Sequence, residues 1–158
     1  MDTNPVSTAS EPTGSVELLS FRLGESEYSV DIMSVREIRG WTRTTALPHS
    51  PGYVRGVINL RGSVLPVVDL AVRLGLASGE PTDRNVIIVV DIDGRSLGLR
   101  VDAVSDILTL ARSDLQSPPD MGSDAAASFV RDLTIIDGRM IRVLDLPAVL
   151  PAMVETAA

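Results

Sequence analysis

Apolar residues along this chain fall in short alternating or continuous runs broken by turn residues, and the clearest case is the stretch from Tyr53 to Leu74. Val54 to Leu60 is β-branched and aliphatic, Arg61-Gly62 offers a tight turn in which Gly accepts positive φ, and Val64 to Val68 resumes the apolar run. This predicts a β-hairpin, after which Asp69 can cap a short helix that Gly75 ends. The pattern returns without a gap from Phe129 to Leu150, at an offset of 129 − 53 = 76, so that Gly62 falls on Gly138, Val67 on Val143 and Asp69-Leu70 on Asp145-Leu146.

A second matched pair precedes the first. Phe21 to Ile38 aligns with Val90 to Ile107 at an offset of 90 − 21 = 69. Leu23, Tyr28, Val30, Ile32, Val35 and Ile38 fall on Ile92, Leu97, Leu99, Val101, Val104 and Ile107, and Glu37 falls on Asp106. The expectation is two copies of one all-β unit, about residues 16–76 and 86–150. The second copy carries 76 − 69 = 7 extra residues between Ile107 and Phe129. A unit of this length buries too little surface alone, so two small barrels sharing an interface is the natural architecture. Residues 1–15, rich in Ser, Thr and Pro, read as a mobile tail, and 151–158 as a C-terminal tail.

Individual strands are expected at Val16 to Leu23, Tyr28 to Ile32, Val35 to Trp41 and Val86 to Ile92, with an Asp93-Gly94 hairpin turn after the last. Ala46 to Gly52, with two prolines in ALPHSPG, reads as an extended connector, and Ala77 to Asn85 as a polar linker. Thr109 to Ser128 is poorly patterned, and Leu146 to Met153 predicts a short helix limited by Pro147 and Pro151.

Composition narrows the chemistry. Cysteine is absent, which removes disulfides, thiolate catalysis and thiolate metal sites. All 14 basic residues are Arg, so no lysine is available for a P-loop or a Schiff base. Residues 1–79 hold 7 Arg against 8 acids and residues 80–158 hold 7 against 13, sums of −1 and −6. Such an acidic second half with only 3% aromatic residues argues against nucleic acid as a partner. No apolar run approaches the roughly 20 residues that cross a bilayer, and the N-terminus lacks a signal layout, so a cytoplasmic protein without membrane insertion is expected.

Candidate catalytic groups are thin. His49, the sole histidine, sits in the Pro-rich connector without partners at fixed spacing and reads as a solvated loop residue. Asp91 and Asp93 before Gly94 resemble the start of a calcium loop, but position 102 is Asp rather than the closing Glu. No G-x-S-x-G elbow or G-x-G-x-x-G loop occurs, and the Asp residues sit mainly in turns and caps. No enzyme activity, cofactor or metal is expected. What remains are polar positions where the copies disagree: Gly56 becomes Asp132, Asn59 becomes Ile135, Arg61 becomes Asp137 and Pro66 becomes Arg142. An Arg on a hairpin tip can pair with Glu37 of its own copy, present its guanidinium to a partner carboxylate, or be a solvated turn residue.

VREIRG at Val35 to Gly40, YVRGVINLRG at Tyr53 to Gly62, VLPVVDL at Val64 to Leu70 and VDAVSDIL from Val101 to Leu108 resemble the CheW family of bacterial chemotaxis coupling proteins, over about Glu11 to Leu150. The resemblance implies two SH3-like five-stranded β-barrels around a common core, with no catalysis. It implies an adaptor that bridges the cytoplasmic hairpin tips of methyl-accepting chemoreceptors to the regulatory domain of the chemotaxis histidine kinase, in membrane-associated arrays. Carried onto matching positions, the receptor-contact region would comprise Val35, Glu37, Gly56, Arg61, Gly62 and Ile107, lining an apolar groove between barrels. The 109–128 loop aligns poorly, which leaves the kinase contacts unassigned. An adaptor of a related chemosensory pathway, such as twitching motility, is the nearest rival. A small carboxylate-dependent hydrolase is a more distant one, to be recognised by two close carboxylates with a raised pKa.

Overall fold

The structure is a computed structural model that describes residues 14–77, 79, 82–118 and 125–149. The expected C-terminal tail, 151–158, and residues 1–13 of the expected tail 1–15 therefore lie outside the described residues, while Ser15 already belongs to a strand. Ten strands run in chain order: β1 Ser15–Leu23, β2 Ser26–Asp31, β3 Val35–Gly40, β4 Val54–Leu60, β5 Ser63–Asp69, β6 Val86–Ile92, β7 Arg95–Val101, β8 Ala103–Ala111, β9 Val130–Ile136 and β10 Arg139–Leu144. Two single-turn helices, α1 Leu70–Arg73 and α2 Leu146–Val149, follow β5 and β10. The strands form two five-stranded sheets, β8-β1-β2-β10-β9 and β3-β6-β7-β5-β4, here called the first and second sheet.

The repeat is visible in the pairing and not only in the sequence. Strands β1 to β5 are the first copy and β6 to β10 the second, yet each sheet takes two strands from one copy and three from the other. The hairpin β1-β2 joins β8, β9 and β10, while β6-β7 joins β3, β4 and β5. Matched registers confirm the exchange. The parallel pair Val67↔Gly98 becomes Val143↔Ser29, and the antiparallel pair Val35↔Val90 becomes Val104↔Phe21. Both sheets curl toward closure through one further bridge, Thr45↔Val57 in the second and Gln116↔Leu133 in the first. Because Thr45 and Gln116 differ by 116 − 45 = 71, two of the seven extra residues precede Gln116 and five follow it.

Burial explains the continuous apolar runs. β1 and β6 are buried on both faces. Ile87 and Val89 point into the second barrel with Ile58, Leu65 and Val67. Ile88, Val90 and Ile92 point the other way, into a common core with Leu19, Phe21, Tyr28, Val68, Leu99 and Leu144. Leu18 likewise faces the first barrel beside Val16 and Val143. A strand sandwiched in this way has no solvent face and so shows no alternation.

Two expectations change. β8 extends to Ala111, through residues expected to lack pattern, because Thr109 and Ala111 continue the ladder onto Glu17 and Ser15 while Leu108 and Leu110 pack under it. A 3-10 turn, Ala125–Phe129, likewise falls largely within the stretch expected to lack pattern.

Candidate functional site

Strand β3 alternates half-buried Val35, Glu37 and Arg39 with exposed Arg36, Ile38 and Gly40. Its neighbour in space is the tip of the β4-β5 hairpin, a turn with Arg61 at φ 51° and Gly62 at φ 87°. Positive φ at both central residues matches the twist of the flanking strands, and the Asn59 side-chain oxygen closes the turn by accepting from the Gly62 amide at 3.0 Å. Arg61 is thereby aimed back across the sheet. Its Nη2 donates to Glu37 Oε1 at 2.5 Å, and Arg39 Nη1 donates to Glu37 Oε2 at 3.0 Å.

Each oxygen of Glu37 therefore faces a guanidinium. The Arg61 hydrogen bond, and after it that from Arg39, holds the Glu37 carboxyl below its ordinary value, and the same contact raises Arg61. A carboxylate held in its charged form is the reverse of what a general acid needs. The shallow depression around this charged ladder is mixed: Leu60, Leu65, Val89 and the 68%-exposed Val64 line it together with Arg36, Ser63 and Ser96, while exposed Ile38 points to the other face of β3.

Of the six residues expected to meet a partner, Glu37, Arg61 and Gly62 come together here, while Val35, separated from Glu37 by a bulge, stands opposite Val90 and packs against the common core. Gly56 is buried at φ +138°, and a Cβ there would lie 2.2 Å from the Thr45 carbonyl oxygen, so its place is to let the chain close the barrel. Ile107 stands on β8, an outer strand of the first sheet, and is 55% exposed. A partner touching both it and Glu37 must lie across the two sheets. His49 is an exposed loop residue with φ 63°, and among the described residues no group of His, Asp or Glu could hold a metal.

Sequence reasoning missed a buried cluster at the other end of the β4-β5 hairpin. Asp69 caps α1 as expected, its Oδ1 accepting from the Val72 amide, but its Oδ2 also accepts from Arg55 Nε and Nη2 at 3.0 and 2.7 Å and from Arg100 Nη1 at 2.8 Å. Arg100 goes on to donate to Asn85 Oδ1 at 2.8 and 3.2 Å, tying the 82–85 linker to the barrel. An arginine amid the apolar Leu97, Leu99 and Val101 was the available signal. Asp69 and Arg100 are 1% and 4% exposed, so this pair holds the barrel together and presents no surface.

Two SH3-like barrels sharing one core, with a charged and apolar face and no assembled catalytic group among the described residues, define a scaffold of the two-barrel coupling class. The CheW-like domain family matches residues 17–153. Chemotaxis protein CheW of Rhizobium meliloti is 54% identical over 92% of this chain and 94% of its own length, and a probable chemotaxis protein CheW of Rhizobium etli is 52% identical over the same shares. The crystal structure of the scaffolding protein TtCheW from Thermoanaerobacter tengcongensis superposes with a TM-score of 0.77, at 32% identity, covering 83% of this chain and 84% of that one. The chain belongs to the CheW family, and its role is that of a chemotaxis coupling scaffold. Among the described residues no helix is long and apolar enough to cross a membrane.

Proposed function

We propose that this scaffold joins the cytoplasmic hairpin tip of a chemoreceptor to the regulatory domain of a chemotaxis histidine kinase, and that the region of Glu37, Arg61 and Gly62, with Gly56 and Val35 on the same sheet and extended by Ile107, takes the receptor. It works by position and not by chemistry. Holding both partners at once converts a change in the receptor's conformational equilibrium into a change in the kinase's, by differential contact energy alone. Membrane association then comes through the receptor and needs no segment of its own.

The observation that carries this reading is the Arg61–Glu37–Arg39 ladder, an ion-paired arrangement that orients a 69%-exposed guanidinium beside exposed Val64. An ordered cation on an apolar rim can grip a helix that offers apolar residues and an acceptor, with little further loss of side-chain freedom. Arg61→Asp should weaken ternary assembly with receptor tips and kinase by about tenfold or more, which corresponds to about 1.4 kcal/mol, at unchanged melting temperature. Pull-down of both partners measures it, and undiminished assembly counts against this face.

A further inference from the structure

The two short helices that follow the matched hairpins meet without symmetry. At the offset of 76, Tyr53 corresponds to Phe129 and Arg73 to Val149. The Arg73 guanidinium carbon lies 4.5 Å from the Tyr53 ring centroid and 5.1 Å from that of Phe129. Arg73 Nε donates to the Val149 carbonyl at 3.0 Å and Nη2 to that of Ala148 at 3.2 Å. A side chain from one copy thus stands between two corresponding rings and bonds the residue that corresponds to itself. Only a group at the pseudo-two-fold axis can do both. A second arginine in place of Val149 would bring two guanidinium groups together there, and instead Val149 is fully buried in the common core.

The location matters because of what else joins the barrels. Strand ladders run within each sheet and none links the first sheet to the second among the described residues. The common core is apolar, and apolar contact opposes separation without fixing direction. Directional links come from the two chain crossings, Ile32–Ser34 and Asp102, the latter bonded to Arg22 and Gly24, and from Arg73, which adds two hydrogen bonds to the last carbonyls of α2 and two cation–π contacts, one to an aromatic residue of each copy.

We propose that Arg73 is the positioning residue that sets the angle between the barrels, and through it the spacing between Glu37 and Arg61 on the second sheet and Ile107 on the first. The functional consequence rests on reading those residues as one receptor-contact region, whereas the angle itself does not.

The chain has no cysteine, so Glu25→Cys and Arg95→Cys, both at exposed positions on different sheets, can carry spin labels as the sole pair. Dipolar distance measurement, far below the melting temperature, compares the labelled parent with Arg73→Met, which keeps the apolar stem but donates nothing. We expect the distance distribution at least to double in width or to shift its maximum, with Arg73→Lys in between. Should Arg73→Met fail to fold, Arg73→Lys and Phe129→Leu carry the same test. A lowered melting temperature with a distribution identical to the parent's overturns the proposal, since that is what a merely structural arginine gives. A changed distribution with unaltered receptor and kinase assembly leaves Arg73 in its role and removes the contact region instead.

Discussion

Hairpins β4-β5 and β9-β10 share their strands and turn, apart from the positive φ at Gly56, and have different surfaces. Strands Val54–Leu60 and Val130–Ile136 match residue for residue, the turns at Arg61-Gly62 and Asp137-Gly138 share φ near 51° and then positive φ at Gly, and Asp69 N to Tyr53 O (2.7 Å) corresponds to Asp145 N to Phe129 O (2.8 Å). On those shared backbones the tip cation of one is the tip anion of the other, and Asn59 beside exposed Val64 answers to Ile135 beside exposed Met140. The interiors diverge too: Ile58 and Val89 of the second barrel correspond to buried Thr134 and Ser20 of the first. Glycines and apolar positions dictate the hairpin, and everything else is free to specialise.

The largest test of that division lies where one copy has placed a buried charge and the other has not. Arg100 corresponds to Asp31, whose carboxylate merely caps a 3-10 turn by accepting from the Met33 amide. Arg100→Met would leave the Asp69 carboxylate and the Asn85 amide oxygen buried with fewer donors, and removing one partner of a buried pair costs about 3–5 kcal/mol. Asp31→Ala should cost about 1 kcal/mol, as loss of a cap does. Chemical denaturation reads both, and equal losses would mean that the buried cluster contributes no more than a surface cap.

A smaller difference is expected at the barrel seam. Gly56 and Asp132 occupy matching places after matching bulges, yet only the first has positive φ and a carbonyl where a Cβ would go. Gly56→Ala must move the Thr45 backbone or distort β4, at about 2–3 kcal/mol, while Asp132→Ala stays below about 1 kcal/mol. Thermal melting of both variants checks this, and a Gly56→Ala protein as stable as the parent would show the seam to be loosely closed.

These contrasts also show how far the chain could be read from its residues. Both hairpins, the Asp69 cap and the repeat were legible because each rests on local chemistry: turn glycines, alternation, a capping carboxylate. Family resemblance then supplied the barrels and the coupling role. Strand exchange was not legible, since the apolar faces of β1-β2 and β6-β7 are interchangeable in pattern and either would satisfy either partner. Arg73 escaped notice for a similar reason, because it bonds Val149, 76 positions away, which the repeat matches to it but cannot place beside it. The part that Gly56 plays in closure was not legible either, since only φ and the position of Thr45 reveal it.

The finest contrast is electrostatic and sits at the tips. Glu37 is held below its ordinary pKa of 4.5, chiefly by the Arg61 hydrogen bond and then by Arg39. A carboxyl whose folded value is depressed contributes stability above its unfolded pKa and loses it as pH falls through the folded one. The Arg61–Glu37 contact is therefore intact at neutral pH and should open only below the usual carboxylate range. Carbon-detected NMR titration of the Glu37 carboxyl should place its midpoint under 4.5, and Arg61→Ala should raise it without restoring the ordinary value, because Arg39 still donates to the other oxygen. If the midpoint were the same with and without Arg61, the guanidinium would not be held on Glu37 in solution. The orienting of the tip that sets this hairpin apart from its Asp137 counterpart would then be lost.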